Sequence, residues 1–397
     1  MIEKLRPTKE DRDRIQAAID KVVGPISTRH EVFVGGSIAK DTWLRKAQDI
    51  DLFVRFPKED HISEQLENTL GDCGFDYTRV HGSRDYFQVI VDGYLVEIIP
   101  IVKIDSADQA HNITDVSPLH VAWVQQHREM ADEIRLSKAF AKAQKVYGAE
   151  SYIQGLSGYC LEILTIFYKG FEPLLKAASG WNEQTIIDIE GHHKDPVHEI
   201  NESKISPLIL IDPVDPGRNA AASLSKEKYD LFRSIATGYL KSPGESWFIK
   251  KPLSQRLTTK ENVTLITIEP LKGKKDVIGC KIRKVYQYIA KQLEFHDFRL
   301  IDSDWEFNDK AYLAYAVKQE TKDSFIKTGP PLDAEKDAER FKEKHPDAFI
   351  KDGRLYAKVK SRYKNPQELF RAMETDPYVK EKVKSLVVDF DFHEHRP

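Results

Sequence analysis

The sequence is poor in cysteine and contains no long apolar segment. Its three cysteines, Cys73, Cys160 and Cys280, are far apart, which excludes a disulfide framework and a Cys-x-x-Cys metal motif. No run approaches the roughly 18 apolar residues that a membrane-spanning helix requires, and no apolar segment of the secretory type stands near Met1. Internal repeats and low-complexity tracts are also missing from the sequence. We therefore expect a soluble cytoplasmic protein without membrane contact.

A strong excess of either charge is missing as well. The 397 residues carry a formal net charge of −3, and the 31% that are charged are mixed in sign. This balance neither indicates nor excludes a nucleic-acid partner, because the local field of a binding surface matters more than the total charge. The hydrophobic fraction of 41% is sufficient for real cores, and the length predicts roughly two to four domains.

The main chemical signal that is present lies in residues 34–56, VGGSIAKDTWLRKAQDIDLFVRF. Apolar residues alternate from Ile50 to Phe56, so one face of a strand is predicted to enter the core. Asp49 and Asp51 then lie side by side on the opposite face. Two carboxylates this close repel each other unless a proton or a cation lies between them, and a hard divalent cation such as Mg²⁺ suits the pair.

A Gly-Gly-Ser sequence precedes this strand and follows a short strand predicted from Glu31 to Val34. Glycines such as Gly36 allow the backbone to approach a ligand closely. If Ser37 begins a helix, its hydroxyl and the free N–H groups of the helix start can bind an anion. A phosphate site before paired carboxylates indicates metal-assisted phosphoryl or nucleotidyl transfer. The alternative is an ordinary glycine turn followed by a strand with a polar edge.

A third acidic position lies in a predicted hairpin. Asp92 and Gly93 separate two β-rich runs, which is a strong hairpin signal, and Glu97 is the only charge in the returning strand. A solvated acid at a sheet edge is the alternative interpretation. If the returning strand lies beside Asp49 and Asp51, the three carboxylates can hold two Mg²⁺ ions about 3.5–4 Å apart, the arrangement used for in-line displacement.

These segments resemble the DNA polymerase beta nucleotidyltransferase superfamily. In particular, GGSIAKDTWL followed by DIDLFVRF, and DPVDPGRN further along, resemble its archaeal-type (class I) CCA-adding branch. That branch has a third carboxylate in a context similar to VEIIP, where Glu97 replaces the usual Asp. The resemblance implies a multidomain α+β fold with a polymerase beta-like mixed-sheet head, a helical neck, and α/β body and tail domains. It also implies that C, C and A are added to the 3′ end of tRNA from CTP and ATP with Mg²⁺.

The resemblance implies roles for individual side chains. The catalytic and metal-binding residues would be Asp49, Asp51 and Glu97. The residues implied to bind the nucleotide are Gly36, Ser37, Lys40, His120, Lys138, Tyr147 and Arg218. The arginine would read the base edge, since a guanidinium presents several donors in a fixed geometry. Lys40 stands where the family more often has Arg. Without the resemblance, the histidine, the lysines and the tyrosine would be interpreted as solvated or core-edge side chains.

We predict three regions along the chain. Residues 1–115 form the catalytic head, residues 116–244 a helical, nucleotide-binding neck, and residues 245–397 a tRNA-binding body and tail. In the last region RLYAKVKSRY alternates basic with apolar and aromatic residues on a predicted strand, which suits an RNA backbone. The resemblance implies that this region holds the acceptor stem and T-arm of tRNA. The sequence leaves a homodimer open.

Other interpretations remain open at this stage. One is a different RNA nucleotidyltransferase, such as a poly(A) polymerase or an oligoadenylate synthetase, although DPVDPGRN favours a CCA-adding enzyme. Another is an RNA-binding protein with a degenerate catalytic core, which Glu97 favours and the intact Asp49 and Asp51 pair opposes. Finally, His192, His193 and His198 lie near acids on a predicted surface loop and form a candidate metal site.

Overall fold

The computed structural model describes residues 1–45, 49–259 and 261–390. The chain divides into two compact units, Met1–Lys250 and Lys251–Pro397. No helix within the described ranges has both the length and the apolar character that crossing a membrane requires.

The first unit begins with a five-stranded mixed sheet in the order β1-β2-β5-β4-β3. Strands β2 and β5 are parallel, and the other neighbours are antiparallel. The elements are α1 (Ile2–Leu5), α2 (Lys9–Ser27), β1 (Glu31–Val34), α3 (Gly36–Ala39), β2 (Asp49–Phe56), α4 (Ile62–Asp72), β3 (Tyr77–Val80), β4 (Tyr86–Val91) and β5 (Tyr94–Val102). The alternation in β2 places Ile50 and Leu52 in a core with Ile19 of α2 and Leu66 of α4.

Helix α2 shows how packing extends an element past a local stop signal. Thr8 caps its start, accepting a hydrogen bond from the backbone of Asp11. Gly24 followed by Pro25 predicts the end of the helix. That prediction is wrong, because α2 continues to Ser27 with the proline inside it. The last turn buries Ile26 completely, and this burial offsets the backbone hydrogen bond that proline cannot donate.

The remainder of the first unit is mainly helical and has its own core. Its elements are α5 (Ser117–Gln125), α6 (Ala131–Ala143), α7 (Gly158–Tyr168), α8 (Phe171–Ser179), β6 (Thr185–Ile187), α9 (Pro196–Glu199), β7 (Leu208–Leu210) and α10 (Lys226–Lys241). The short strands β6 and β7 pair in parallel. The apolar run Leu208–Leu210 is fully buried, and the polar segment that follows it is therefore placed at a fixed position beside the core.

The second unit contains a four-stranded antiparallel sheet, β14-β8-β10-β9, and a three-stranded antiparallel sheet, β11-β13-β12. Its elements are α11 (Leu253–Arg256), β8 (Val263–Glu269), α12 (Lys275–Phe295), β9 (Leu300–Phe307), β10 (Ala311–Val317), β11 (Ser324–Pro331), α13 (Glu335–Lys344), β12 (Phe349–Lys351), β13 (Arg354–Lys360), α14 (Pro366–Met373), α15 (Pro377–Lys380) and β14 (Ser385–Asp389). The sequence Gly-Pro-Pro at 329–331 predicts a break, but it lies at the end of edge strand β11, where proline is tolerated.

These units confirm the predicted multidomain α+β fold with a mixed sheet at the start and a helical region after it. The hairpin at Asp92 and Gly93 is also confirmed, since β4 and β5 pair antiparallel on either side of it. The register of β2 with β5 decides which side chains of β5 lie beside the two aspartates of β2.

Candidate active site

The three predicted carboxylates lie on adjacent parallel strands. In the pairing of β2 with β5, Asp51 is directly opposite Glu97, and Asp49 is opposite Leu95. Opposed residues of paired strands project to the same face, and Asp49 shares that face because it is two positions from Asp51. Gln88 of β4 lies opposite Glu97 on its other side and donates a hydrogen bond from Nε2 to Glu97 Oε1 at 2.8 Å. The structure therefore brings the acids together as the strand alternation predicts.

Asp51 has the most perturbed environment of the three. Burial raises the pKa of its carboxyl, and the charges of Glu97 and Asp49 raise it further, to about 6, while Lys40 acts in the opposite direction. This is the response expected of a carboxylate that shares a confined space with like charges. A positive charge at this position would therefore be strongly favoured.

Gly36 lies directly against this carboxylate. Its φ of +57° is in the left-handed region, and a Cβ built on it would be 1.7 Å from Asp51 Oδ2. Glycine is therefore required both by the backbone conformation and by the close approach. Helix α3 begins at Gly36 with Gly35 as its N-cap, so Ser37 is the second residue of the helix and does not cap it. The expectation that Ser37 begins the helix is thus wrong by one position, because the left-handed turn is made by the glycine before it.

The acids do not form a preassembled metal cage. Within residues 1–45, 49–259 and 261–390, no three His, Cys, Asp or Glu side chains converge closely enough to hold a metal ion. The donor set nevertheless fits a hard cation, since all of its groups are carboxylates and a cation beside them would relieve the repulsion that raises the pKa of Asp51. The absence of a side chain at Gly36 leaves room for the Asp51 carboxylate itself.

The two predicted phosphate-binding lysines share a buried partner, Glu162 of α7. Lys40 Nζ is 2.8 Å from Glu162 Oε2, and Lys138 Nζ is 2.6 Å from Glu162 Oε1. Lys138 also donates to Thr42 Oγ1 at 2.8 Å, and Thr42 donates to Glu162 at 2.6 Å. Burial lowers the pKa of Lys138. Burial alone would raise the pKa of Glu162, but the two ammonium groups lower it to about 2. The lysines are therefore ordered by an acid that the sequence interpretation missed.

Tyr147 is influenced electrostatically by both this buried cluster and the carboxylates. Burial raises the pKa of its hydroxyl, and Glu162, Glu150, Asp51 and Asp49 raise it further, so it remains a donor at neutral pH. At Gly158, the first residue of α7, a Cβ would be 2.9 Å from the Tyr147 hydroxyl. The tyrosine is therefore packed against the helix that carries the glutamate.

A second buried acid, Asp212, contacts two of the predicted nucleotide-binding residues, His120 and Arg218. His120 Nε2 and Arg218 Nη1 contact Asp212 Oδ2 at 3.0 and 2.7 Å, and the Tyr159 hydroxyl donates to Oδ1 at 3.1 Å. Burial alone would raise the pKa of Asp212, but His120 and Arg218 lower it to about 2. Burial lowers the pKa of His120, and this keeps its ring neutral at physiological pH.

The Tyr159 ring connects the lysine and arginine groups. Lys40 Nζ lies 4.7 Å and the Arg218 guanidinium 6.0 Å from its centroid, and the His120 ring is 4.2 Å away. Sequence reasoning assigned no role to Tyr159, Asp212 or Glu162. The usable signals were a lone acid inside the apolar run GYCLEILTIFY and an acid directly after a buried strand. Burial of such acids requires basic partners.

The three histidines of the candidate metal site have separate partners. His193 contacts Glu199 and the carbonyl oxygen of Pro216, whereas His192 contacts the carbonyl oxygen of Pro213. His198 pairs with Asp195 and is exposed. The structure therefore does not bring these side chains together as metal ligands.

Three family models match the chain in succession. A nucleotidyltransferase domain matches residues 19–115, the second domain of tRNA nucleotidyltransferase matches 132–249, and the C-terminal domain of CCA-adding enzymes matches 263–388. The chain is 40% identical to the CCA-adding enzyme of Nanoarchaeum equitans, over 89% of this chain and 91% of that relative. This chain belongs to the CCA-adding enzymes. The predicted family and the predicted tRNA nucleotidyltransferase activity are thereby confirmed.

Other relatives agree with this assignment. The CCA-adding enzyme of Saccharolobus shibatae is 32% identical over 89% of this chain and 86% of its own. Among solved structures, Cid1, an RNA terminal uridylyl transferase, aligns with a TM-score of 0.52 at 13% identity over 63% of this chain and 96% of its own. That likeness shows the fold alone. Enzymes of the nucleotidyltransferase family generally use divalent metal ions. The relatives and the C-terminal family model do not favour the two alternative interpretations, a poly(A) polymerase or an RNA-binding protein with a degenerate catalytic core.

Proposed function

We propose that this enzyme adds C, C and A to the 3′ end of tRNA from CTP and ATP at the face formed by Asp49, Asp51 and Glu97, releasing pyrophosphate. The observation that carries the proposal is the register in which Asp51 lies opposite Glu97, with Gly36 held against Asp51. Carboxylates that share one face suit metal-assisted attack of the tRNA hydroxyl on the α-phosphorus of the nucleotide, with pyrophosphate as the leaving group.

The metal that we propose is Mg²⁺, held by Asp49, Asp51 and Glu97. Such an ion supplies charge neutralisation on the triphosphate and a lower pKa for the attacking hydroxyl. The protein's own contribution is to keep the carboxylates ionised and oriented. Gln88 fixes one oxygen of Glu97 at 2.8 Å, which offsets the freedom of a side chain one methylene longer than the family's usual aspartate.

The nucleotide is proposed to lie between the carboxylates and the buried lysine cluster. Gly36 and Ser37 present the backbone of the turn. Lys40 lowers the pKa of Asp51, and Asp51 raises the pKa of the Tyr147 hydroxyl, so both side chains act electrostatically on the carboxylate face. A direct phosphate contact from Lys138 stays a prediction, since Thr42 and Glu162 already occupy its ammonium group.

Base selection is proposed to depend on Arg218 with His120. The side chain of Arg218 is 29% exposed and gives one nitrogen to Asp212. Its planar fork has five N–H donors, so most of them remain for the acceptors of cytosine or adenine. The neutral ring of His120, which is held by the same aspartate, completes the polar edge of this proposed base site.

We propose that the second unit binds the acceptor stem and T-arm of tRNA. Strand β13 places Leu355 and Ala357 inside and leaves Lys358 and Lys360 exposed. Lysines in this arrangement suit contacts with phosphates along a duplex. The division of the first unit into a head (1–115) and a neck (116–244), the homodimer and the cytoplasmic location remain proposals. The three cysteines are free, which suits a reducing compartment.

The deciding experiment uses tRNA that lacks its CCA end, labelled CTP or ATP, and Mg²⁺. We expect two C additions followed by one A, after which extension stops. Open-ended A addition would instead indicate a poly(A) polymerase. No addition with any divalent metal would contradict the proposed site.

A further inference from the structure

Three successive contacts join two loops of the first unit. The arginine loop, residues 212–218, carries the proposed base-reading Arg218. The histidine loop, residues 188–204, lies against it. Basic side chains of the histidine loop donate to three carbonyl oxygens of the arginine loop, namely His192 to Pro213, His193 to Pro216 and Lys204 to Gly217, at 3.0, 2.7 and 2.9 Å.

His193 has acceptors at both of its ring nitrogens. Nδ1 is 2.9 Å from a carboxylate oxygen of Glu199, and Nε2 is 2.7 Å from the carbonyl oxygen of Pro216. A neutral imidazole carries one N–H and could satisfy one of these acceptors, with its bare nitrogen facing the other. Both contacts are made together only when the ring is protonated. Glu199 is the ionised partner, since the hydrogen bond from His193 lowers its pKa.

We infer that protonated His193 is a positioning residue that holds the arginine loop, and thereby Arg218, in the conformation that selects the base. This inference rests on the proposed function of Arg218. A ring that has lost its proton can donate to only one of the two acceptors. The bond to the Pro216 carbonyl is then either lost or made by a neutral donor, and in both cases the arginine loop is attached to the histidine loop less firmly. Selectivity should then depend on pH through a residue that does not touch the nucleotide.

The charges around His193 support a proton on the ring. The pKa of His193 is raised by the Pro216 carbonyl and by Glu199 of α9, and Asp188, after β6, adds to the effect. The backbone N–H of His193 also donates to Asp188 at 2.8 Å. Several other charged groups of the two loops have partners of their own: Lys204 contacts Gly217, Arg218 contacts Asp212, His198 contacts Asp195, Glu190 accepts from Trp123 and Asp215 accepts from the backbone of Gly217. Lys194 and Glu202 are the remaining charged side chains of the histidine loop.

The direction of the pH effect follows from this raised pKa. The contribution of protonated His193 is complete below the unfolded-state pKa of about 6.5 and is lost as the pH rises through the higher folded-state value. The arginine loop should therefore be held most firmly at mildly acidic pH. Glu199→Gln, which removes the carboxylate, should move the transition to lower pH.

The primary test is hydrogen exchange of the 212–218 segment in the full chain from pH 6 to pH 8, with rates corrected for intrinsic exchange. Hydrogen bonds from charged donors are strong. We therefore expect the amides of the 212–218 segment to exchange about tenfold faster or more in His193→Gln than in wild type at pH 6, and the exchange rate to lose its pH dependence. Glu199→Gln should shift the midpoint of the wild-type profile downward. The control is His198→Gln, which lies in the histidine loop but pairs with Asp195 and is exposed; its profile should match wild type.

The second readout is the ratio of kcat/KM for CTP to that for UTP at the same pH values. We expect this ratio to fall several-fold in His193→Gln at pH 6, and to fall in wild type as the pH rises. The inference about His193 would be overturned if His193→Gln changed neither the exchange rate nor the CTP-to-UTP ratio while Arg218→Ala altered that ratio. The proposed base-reading role of Arg218 would then stand. An unchanged ratio in Arg218→Ala would overturn the base-reading role in the proposed function, and the exchange profile would still decide whether His193 holds the loop.

Discussion

Asp51 is the single side chain on which the proposed chemistry depends most. It lies opposite Glu97 on the neighbouring parallel strand, and its carboxylate packs against Gly36. Burial and its acidic neighbours raise its pKa to about 6. A buried carboxylate beside two like charges reduces the free energy of unfolding, so stability alone does not explain its presence. Charged groups placed this unfavourably for stability are typical of functional sites.

Asp51→Asn should abolish nucleotide addition and leave tRNA affinity unchanged, because it removes a metal ligand and not a basic surface. We expect a loss of at least about a hundredfold in kcat, the size found for electrostatic groups at a reacting centre. The control is Asp92→Asn, which changes an exposed carboxylate paired with Lys21 at the hairpin turn. Turnover by Asp51→Asn at the rate of this control would remove Asp51 from the site.

Glu162 should matter for stability more than any surface acid. Glu162→Gln leaves the ammonium groups of Lys40 and Lys138 buried without a counter-charge, so we expect a loss of about 3–5 kcal/mol in the free energy of unfolding. Asp230→Asn, which breaks an exposed pair with Lys226, should cost less than about 1 kcal/mol. Urea unfolding of both variants measures the difference. Equal costs would show that the cluster tolerates loss of the acid.

At the scale of elements, the proposed site depends on the turn between β1 and α3 and on the register of β2 with β5. The turn brings the backbone of Gly36 against β2, and the parallel pairing sets Glu97 beside Asp51. Neither element holds the carboxylates in place alone. A shift of one residue in the pairing would turn Glu97 to the opposite face of the sheet.

Gly36→Ala should therefore impair nucleotide addition by more than the strain of a left-handed alanine alone would explain. The new Cβ would overlap Asp51 Oδ2, whereas at Gly93, which also has a positive φ of +82°, a Cβ would meet nothing within 4 Å. In both variants an alanine must adopt a left-handed backbone conformation, which costs roughly 1–2 kcal/mol. Gly93→Ala is therefore the control for that cost. We expect nucleotide addition to be lost in Gly36→Ala and retained in Gly93→Ala. Equal activities would contradict the close approach.

At the scale of the whole molecule, the two units have separate hydrophobic cores. Clusters in the sheet and helical parts of Met1–Lys250 are built from that unit alone, and the same is true of the main cluster in Lys251–Pro397. A unit with its own core is expected to fold by itself.

The fragment 1–250 should unfold cooperatively on heating and bind CTP, because its core and the proposed nucleotide site lie within it. It should bind tRNA at least about tenfold more weakly than the full chain, since the proposed phosphate contacts of β13 are removed. Circular dichroism and filter binding measure the two properties, with the full chain as reference. A fragment without a thermal transition would contradict independent folding, and full tRNA affinity would contradict the role of the second unit.

The sequence by itself determined the features that depend on neighbours along the chain. The alternation in β2 placed Asp49 and Asp51 on one face, the Asp92-Gly93 turn predicted the hairpin, and the motifs predicted the family. Only the tertiary structure decided how buried charges are paired. Lys40 meets Glu162 across 122 positions and His120 meets Asp212 across 92. No local pattern encodes such distant pairs, because they form only when separate helices and loops pack together and exclude water from the charges.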